Sequence, residues 1–183
     1  ADMDFFLMDN RYFRRPNHRT SGEAVYFGER QLEWLIDALV ASSAPFKFVA
    51  TGGQILNTEP LFENYIRLAP EERAYWLGRI EEEGITGVVF LTGDRHHTEL
   101  SSYTNSKGIK VYDLTVSPLT SGSGSNRDNE HNAARDEGTL VVQRNFGLLT
   151  FSGARDEREM LIQIFDVTGE ELWQRTISQP ERK

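Results

Sequence analysis

The sequence predicts an α/β fold: a parallel or mixed sheet flanked by helices, followed by antiparallel strands. Three observations lead there. Short apolar runs at residues 4–8, 46–50 and 87–91 alternate with two helical stretches. That rhythm is the mark of parallel strands joined by right-handed crossovers. The runs are nearly continuous in apolar character, as in strands buried on both faces. After residue 100 helical spacing stops and short runs separated by turns take over.

The elements follow in order. Residues 4–8 form the first strand, ending at Asp9-Asn10-Arg11. A basic stretch from Arg11 to Thr20 contains Pro16, which blocks helix. From Gly28 to Ser43 the residues Leu32, Leu35, Ile36 and Leu39 recur at helical spacing, an amphipathic helix that Pro45 ends. Phe46–Ala50 is the second strand and runs into Thr51-Gly52-Gly53-Gln54. Pro70-Glu71-Glu72 is a helix start, with proline and acids in the first turn. Ala74, Leu77 and Ile80 are its expected inward residues, and Gly84 is its C-terminal cap. Gly87–Leu91 is the third strand, ending at Thr92-Gly93-Asp94-Arg95-His96-His97.

Ile109–Val116 alternates and reads as a further strand. Residues 117–138 are rich in Ser, Gly, Asn and charge and read as a long surface loop, its Ser121–Ser125 stretch low in complexity and flexible. Leu140–Gln143, Gly147–Ser152 and Met160–Val167 are expected antiparallel strands, and Thr168-Gly169-Glu170 turns the last into Leu172–Ile177. The expected organisation is therefore a strand–helix part over 3–100 and a loop-rich antiparallel part over 101–183. Trp34 and Trp76 fall on helical core faces, and Glu81-Glu82-Glu83 is a solvated helix end.

Composition narrows the function. The chain has 183 residues, 28 acidic against 20 basic side chains, a formal charge of −8 and no cysteine. The length suits one domain with a proper core. An acidic balance argues against a general nucleic-acid binder, whose affinity comes from basic surface. No apolar run approaches the roughly 20 residues that span a membrane. The lack of cysteine excludes disulfides, thiol catalysis and Cys-ligated metal, and leaves the compartment open.

The three buried strands share a feature: each ends in a tight polar cluster. Ligands of open α/β sheets bind beyond the carboxyl ends of parallel strands, so one sheet edge gathers all three clusters. In extended backbone residues i and i+2 point the same way, so Asp94 and His96 face one point while Arg95 and His97 face away. A carboxylate and an imidazole aimed together make half of a site for Mn, Fe or Zn. The structural alternative is an Asp capping a short helix from residue 95, with two surface histidines. The run Arg11–Arg15 offers guanidinium groups that grip phosphate through paired hydrogen bonds. Its alternative is an ion pair of Arg11 or Arg14 with Asp9 or a helix acid. His18 and His131 lie in polar loops and read as solvated.

With these residues in place, a resemblance becomes visible. Asp9-Asn10-Arg11-Tyr12-Phe13-Arg14 resembles the Asp-x-Arg-x-x-Arg segment of the PhoD-like alkaline phosphatases. Gly28–Leu35 is similar to their Gly-x-x-Gln-x-x-Trp-Leu helix, and Phe46–Ala50 to the strand after it. Val88–His96 resembles their Val-Val-x-Leu-Ser-Gly-Asp-x-His strand, and Asn145-Phe146-Gly147 also has a counterpart. These enzymes are calcineurin-like metallophosphoesterases, which hydrolyse phosphomonoesters and phosphodiesters at a two-metal centre. The implied fold is the C-terminal half of a four-layer α-β-β-α sandwich. The resemblance implies Asp94 and His96 as metal ligands and His96 and Arg11 as catalytic groups. Arg11, Gln54, Asn57 and His97 are the implied substrate-binding set. Ca and Fe join Mn and Zn as candidate metals, and a phosphate ester is the implied substrate.

Two departures shape the expectation. The family's N-terminal motifs, Gly-Asp-x-x-Tyr and Asp-His-Glu, have no counterpart here, and the chain enters its first strand straight from Ala1-Asp2-Met3 without initiator Met, signal or polar lead-in. The sequence thus reads as a C-terminal half, inactive alone, whose partner is the N-terminal half of the same enzyme. A mature terminus left by signal cleavage is the other origin for such a start. Second, Gly52-Gly53-Gln54 stands where the family more often has Asn-Gln, so any role there moves to Gln54 or Asn57. Export to the periplasm or beyond is the family's habit. The reading from a different class is a metal-free α/β accessory or binding module that retains the half-fold.

Overall fold

Strand β1 (Met3–Leu7) lies parallel to β2 (Phe46–Ala50), β2 to β3 (Val88–Thr92), and β3 to β5 (Lys110–Thr115). Strand β4 (Glu99–Thr104) closes the sheet antiparallel to β5, giving the order β1-β2-β3-β5-β4. The structure, a computed structural model, describes residues 2–123 and 130–181. A second sheet, β6-β7-β8, is an antiparallel meander of Asn145–Ser152, Glu159–Asp166 and Glu171–Ser178.

The continuous apolar runs of β2 and β3 have the reason the sequence suggested, since both faces of the sheet are covered there; β1, expected to be buried as well, is an edge strand with no buried residue, and Phe5 and Leu7 are exposed. Val49, Val88, Phe90 and Val111 meet helices α1 (Glu29–Ala41) and α3 (Pro70–Glu82), through Leu32, Leu35, Ile36, Leu39, Trp76 and Ile80. The alternate residues Phe46, Phe48, Val89 and Leu114 meet Met160, Ile162 and Ile164 of β7 and Trp173 and Ile177 of β8. Each of these fully buried side chains contributes about 1.5–3 kcal/mol over exposure. The layers run helix, sheet, sheet, and the described helices all pack on one side.

Several expectations change. β4 was not anticipated, because Glu99-Leu100-Ser101-Ser102 carries no apolar run; its polar residues are buried in pairs instead. β4 and β5 belong to the first sheet, so a division at residue 100 does not follow the sheets. Residues 140–143 make only an isolated bridge, Thr98 to Val141, in place of a strand. A short helix, α2 (Tyr65–Leu68), precedes α3. Trp34 is half exposed and Ala74 faces solvent; Trp76 fills the core there, edge-to-face on Phe27 and Phe90. Residues 124–129 of the long loop lie outside the described residues. In the part from Glu130 to Gly138 the surface loop is interrupted: Glu130 and Asn132 are buried, while His131, Ala133, Glu137 and Gly138 are exposed.

Candidate functional site

The carboxyl ends of β1, β2 and β3 stay in register past the strands. Met8 N–H donates to Ala50 O (2.9 Å) and Thr51 N–H to Leu91 O (3.0 Å). The chain after β1 then turns on Asp9, whose Oδ1 accepts from the amides of Arg11 (2.7 Å) and Tyr12 (3.0 Å). These two bonds hold the Asp9 carboxyl below its ordinary pKa. Gln31 of α1 latches the turn, accepting from Asp9 N–H (2.8 Å) and donating to Asp9 O (2.8 Å).

The entry to α1 is fixed from the other side. Gly28 caps α1 at φ 83°, a conformation that needs glycine. The Glu72 carboxylate accepts from the amides of Tyr26 (2.6 Å), Phe27 (3.1 Å) and Gly28 (2.7 Å). Burial raises the Glu72 pKa and these three bonds oppose the rise. Tyr26 is thereby aimed at the strand ends, where its hydroxyl accepts from Asn10 Nδ2 at 2.9 Å.

The segment after β3 turns twice. Asp94 and His96 both have left-handed backbone, at φ 67° and 57°. Asp and His are among the side chains that tolerate this region, at a cost of about 1–3 kcal/mol each. The strain is held by neighbours. Gly93 N–H donates to Gly52 O (3.3 Å), His96 N–H to Ser117 Oγ (3.2 Å), and Thr98 N–H to Val141 O (2.8 Å). The consequence is alternation. Asp94 and His96 reach solvent, while Arg95 and His97 turn into the protein. No helix starts at residue 95, so the capping alternative does not apply.

The three clusters do meet. Asn10, Arg11, Arg14, Tyr26, Gly52, Gly53, Glu63 and Asp94 line one pocket of about 70 Å³. Arg11 and Arg14 both pair with Glu63, at 3.1 Å each, so the ion-pair alternative for these arginines holds as well, with a loop acid as partner. Larger hollows of about 360 and 300 Å³ adjoin it at Glu63 and at Arg11 and Arg14. Two others, of about 550 and 340 Å³, are lined by Lys47 and Ile109 respectively and hold none of the strand-end residues, so we place the site by its chemistry rather than by volume.

Three expected substrate contacts are corrected. Gln54, Asn57 and His97 are buried to within about 1% of full enclosure. Buried polar groups need partners, and these spend theirs inside. Gln54 Nε2 donates to Glu99 Oε1 (2.7 Å) and Thr115 Oγ1 (2.9 Å). Asn57 Nδ2 donates to Gln54 Oε1 and Glu130 Oε1, both at 2.8 Å. His97 Nε2 lies 3.4 Å from Glu99 Oε2, which Arg135 also binds. Burial alone would raise the Glu99 pKa; the hydrogen bond and charge of His97 and the pairing with Arg135 outweigh it and hold it at about 2. Arg95 pairs with Glu130 at 2.5 Å. This network lies under the Asp94–His96 turn and braces it. Asp113 belongs to it too, accepting from the amides of Ile55 (2.7 Å) and Leu56 (2.8 Å) and from Thr92 Oγ1 (2.7 Å).

Sequence reading missed Tyr26, Glu63, Glu99, Glu130 and Arg135. Only Tyr26 had a signal, its place just before the α1 cap. A metal fits the described residues poorly. Among them no group of three or more carboxylates and imidazoles gathers around a point. Asp94 lines the pocket, whereas His96 is exposed but is not among its lining residues.

The fold is one that solved phosphatases share. The solved structure of PhoD superposes with TM-score 0.68 at 17% identity, covering 97% of this chain and 42% of that one. Purple acid phosphatase PPD1 from yellow lupin (Lupinus luteus) seeds matches with TM-score 0.51 at 12% identity, over 82% of this chain and 28% of that one. The family model of the PhoD-like phosphatases matches residues 1–162, and the chain belongs to that family. No curated protein matches it. The chain spans less than half the length of either solved relative.

Proposed function

We propose that this chain is the C-terminal half of a phosphoric ester hydrolase acting on phosphomonoesters or phosphodiesters. The observation that carries the reading is the shared pocket of Asp94 with Arg11 and Arg14 at the carboxyl ends of three parallel strands. Membership of the PhoD-like phosphatase family supports it.

In this reading Asp94 and His96 supply part of a two-metal centre, with Ca, Fe, Mn and Zn as candidate metals, and an N-terminal half supplies the other ligands. The surface favours such a neighbour: Phe5 and Leu7, on edge strand β1, are 57% and 75% exposed. Arg11 contacts the phosphoryl oxygens through paired hydrogen bonds. His96, exposed two residues after Asp94, moves a proton at an ester oxygen if it carries no metal. Gln54, Asn57 and His97 act through the buried network that holds the turn. The protein is exported, as its family resemblance implies.

The test is an assay of the complete protein and of residues 1–183 alone, using p-nitrophenyl phosphate and bis(p-nitrophenyl) phosphate with and without chelator. Chelator-sensitive hydrolysis by the complete protein, and none by the half, is expected. Full hydrolysis by the half alone, or hydrolysis indifferent to chelator, contradicts the reading.

A further inference from the structure

Two arginines at the pocket end on one oxygen. Arg11 Nη1 and Arg14 Nη1 each lie 3.1 Å from Glu63 Oε2, and Asn17 Nδ2 donates to Glu63 Oε1 at 2.7 Å. A carboxylate oxygen shared by two guanidiniums has the charge and the acceptor geometry of a phosphoryl oxygen. The loop that brings it there is bent for the purpose. Phe62, just before it, has left-handed backbone at φ 48°, and its ring lies 5.0 Å from the Arg95 guanidinium. Asn64 Nδ2 donates to Glu59 O at 2.6 Å and closes the loop behind. Arg14 is almost enclosed, with a side chain 7% exposed, whereas Glu63 remains 38% exposed.

The geometry points to Glu63 as an internal competitor for the anion site. Its carboxylate occupies the Arg11–Arg14 fork until an anionic substrate group takes its place. The inference rests on the phosphoesterase reading for the identity of that group and adds what holds the fork beforehand. The Arg11–Glu63 pair is exposed and therefore weak, and a doubly charged phosphate can replace the carboxylate on both Arg11 and the enclosed Arg14. The hydrogen bonds to Arg14 and Asn17 keep the Glu63 carboxyl ionised down to about pH 2, so the competitor is present at every working pH. A competitor of this kind selects for ligands of higher charge than its own, because a singly charged group gains little over the glutamate it expels. The arginines also arrive at the ligand already oriented, which limits the ordering cost of binding.

The experiment titrates inorganic phosphate into the complete protein by calorimetry and measures KM and kcat for p-nitrophenyl phosphate, in wild type, Glu63→Gln and Asn17→Ala. Glu63→Gln is expected to bind phosphate roughly 3- to 10-fold tighter, the size of effect that removing a weak, partly exposed competitor gives. KM falls with it and kcat changes less. Asn17→Ala keeps the charge but frees the carboxylate, and gives a smaller shift in the same direction. Equal or weaker phosphate binding by Glu63→Gln, with hydrolysis retained, overturns the inference and makes Glu63 a support for the arginines. Tighter phosphate binding by Glu63→Gln in a protein that hydrolyses neither ester leaves the inference standing and removes the phosphoesterase reading.

Discussion

The Tyr26 hydroxyl stands where a side chain at position 53 would go. A Cβ added to Gly53 would meet Tyr26 Oη at 2.5 Å, well inside van der Waals contact. The glycine that interrupts the second strand-end cluster is therefore what admits a buried phenol to the pocket, where it binds Asn10.

Gly53→Ala is expected to displace Tyr26 and Asn10 together. Overpacking of this kind costs about 1–3 kcal/mol. Urea denaturation reads the loss, and kcat/KM of the complete protein should fall with it. Unchanged stability and turnover would mean that Tyr26 moves aside freely.

Glu72 ties α3 to the start of α1 through three amides. Glu72→Ala leaves those donors without their acceptor inside the protein. A cost of about 1–3 kcal/mol is expected, with Tyr26 released as well. A lowered unfolding midpoint with an unchanged m-value would confirm it.

Much of the fold was legible. α1 shows its inward face as Leu32, Leu35, Ile36 and Leu39, and all four are buried. The three strand ends converge as parallel topology requires; Asp94 and His96 are both exposed, on left-handed rather than the expected extended backbone, and only Asp94 lines the pocket. The hidden part has a physical reason. A strand such as β4, buried by pairing its polar side chains, shows no apolar signal; Glu99 looks like any surface acid until Gln54, Asn132 and Arg135 come from distant positions to bind it. Gln54, Asn57 and His97 look like ligand-binding residues for the same reason. Polar groups beside a site serve substrate or scaffold alike, and only burial separates the two.

Glu99 also sets an acid limit. Its carboxyl is held at about 2 in the folded protein, against 4.5 for a free glutamate. The stability it contributes is complete above about pH 4.5 and is lost as pH falls toward 2. Asp113 works the other way: burial raises its carboxyl from 3.8 to about 6, so its contribution is present at low pH and lost as pH rises through 6. Glu99→Gln should therefore be less stable than wild type at pH 6, with the gap narrowing toward pH 3. Urea midpoints across that range measure it, and a constant gap would show that the Glu99 charge is not what matters.

Everything proposed about chemistry passes through Asp94, held in left-handed backbone at the mouth of the Arg11–Arg14 pocket. The most direct measurement is the metal-dependent hydrolysis of p-nitrophenyl phosphate by the complete protein carrying Asp94→Asn, a substitution that keeps shape and removes charge. Loss of turnover by at least about 100-fold, with the unfolding midpoint preserved, is expected of a group at the reacting centre. Turnover near wild type would take Asp94 out of the site and contradict the account.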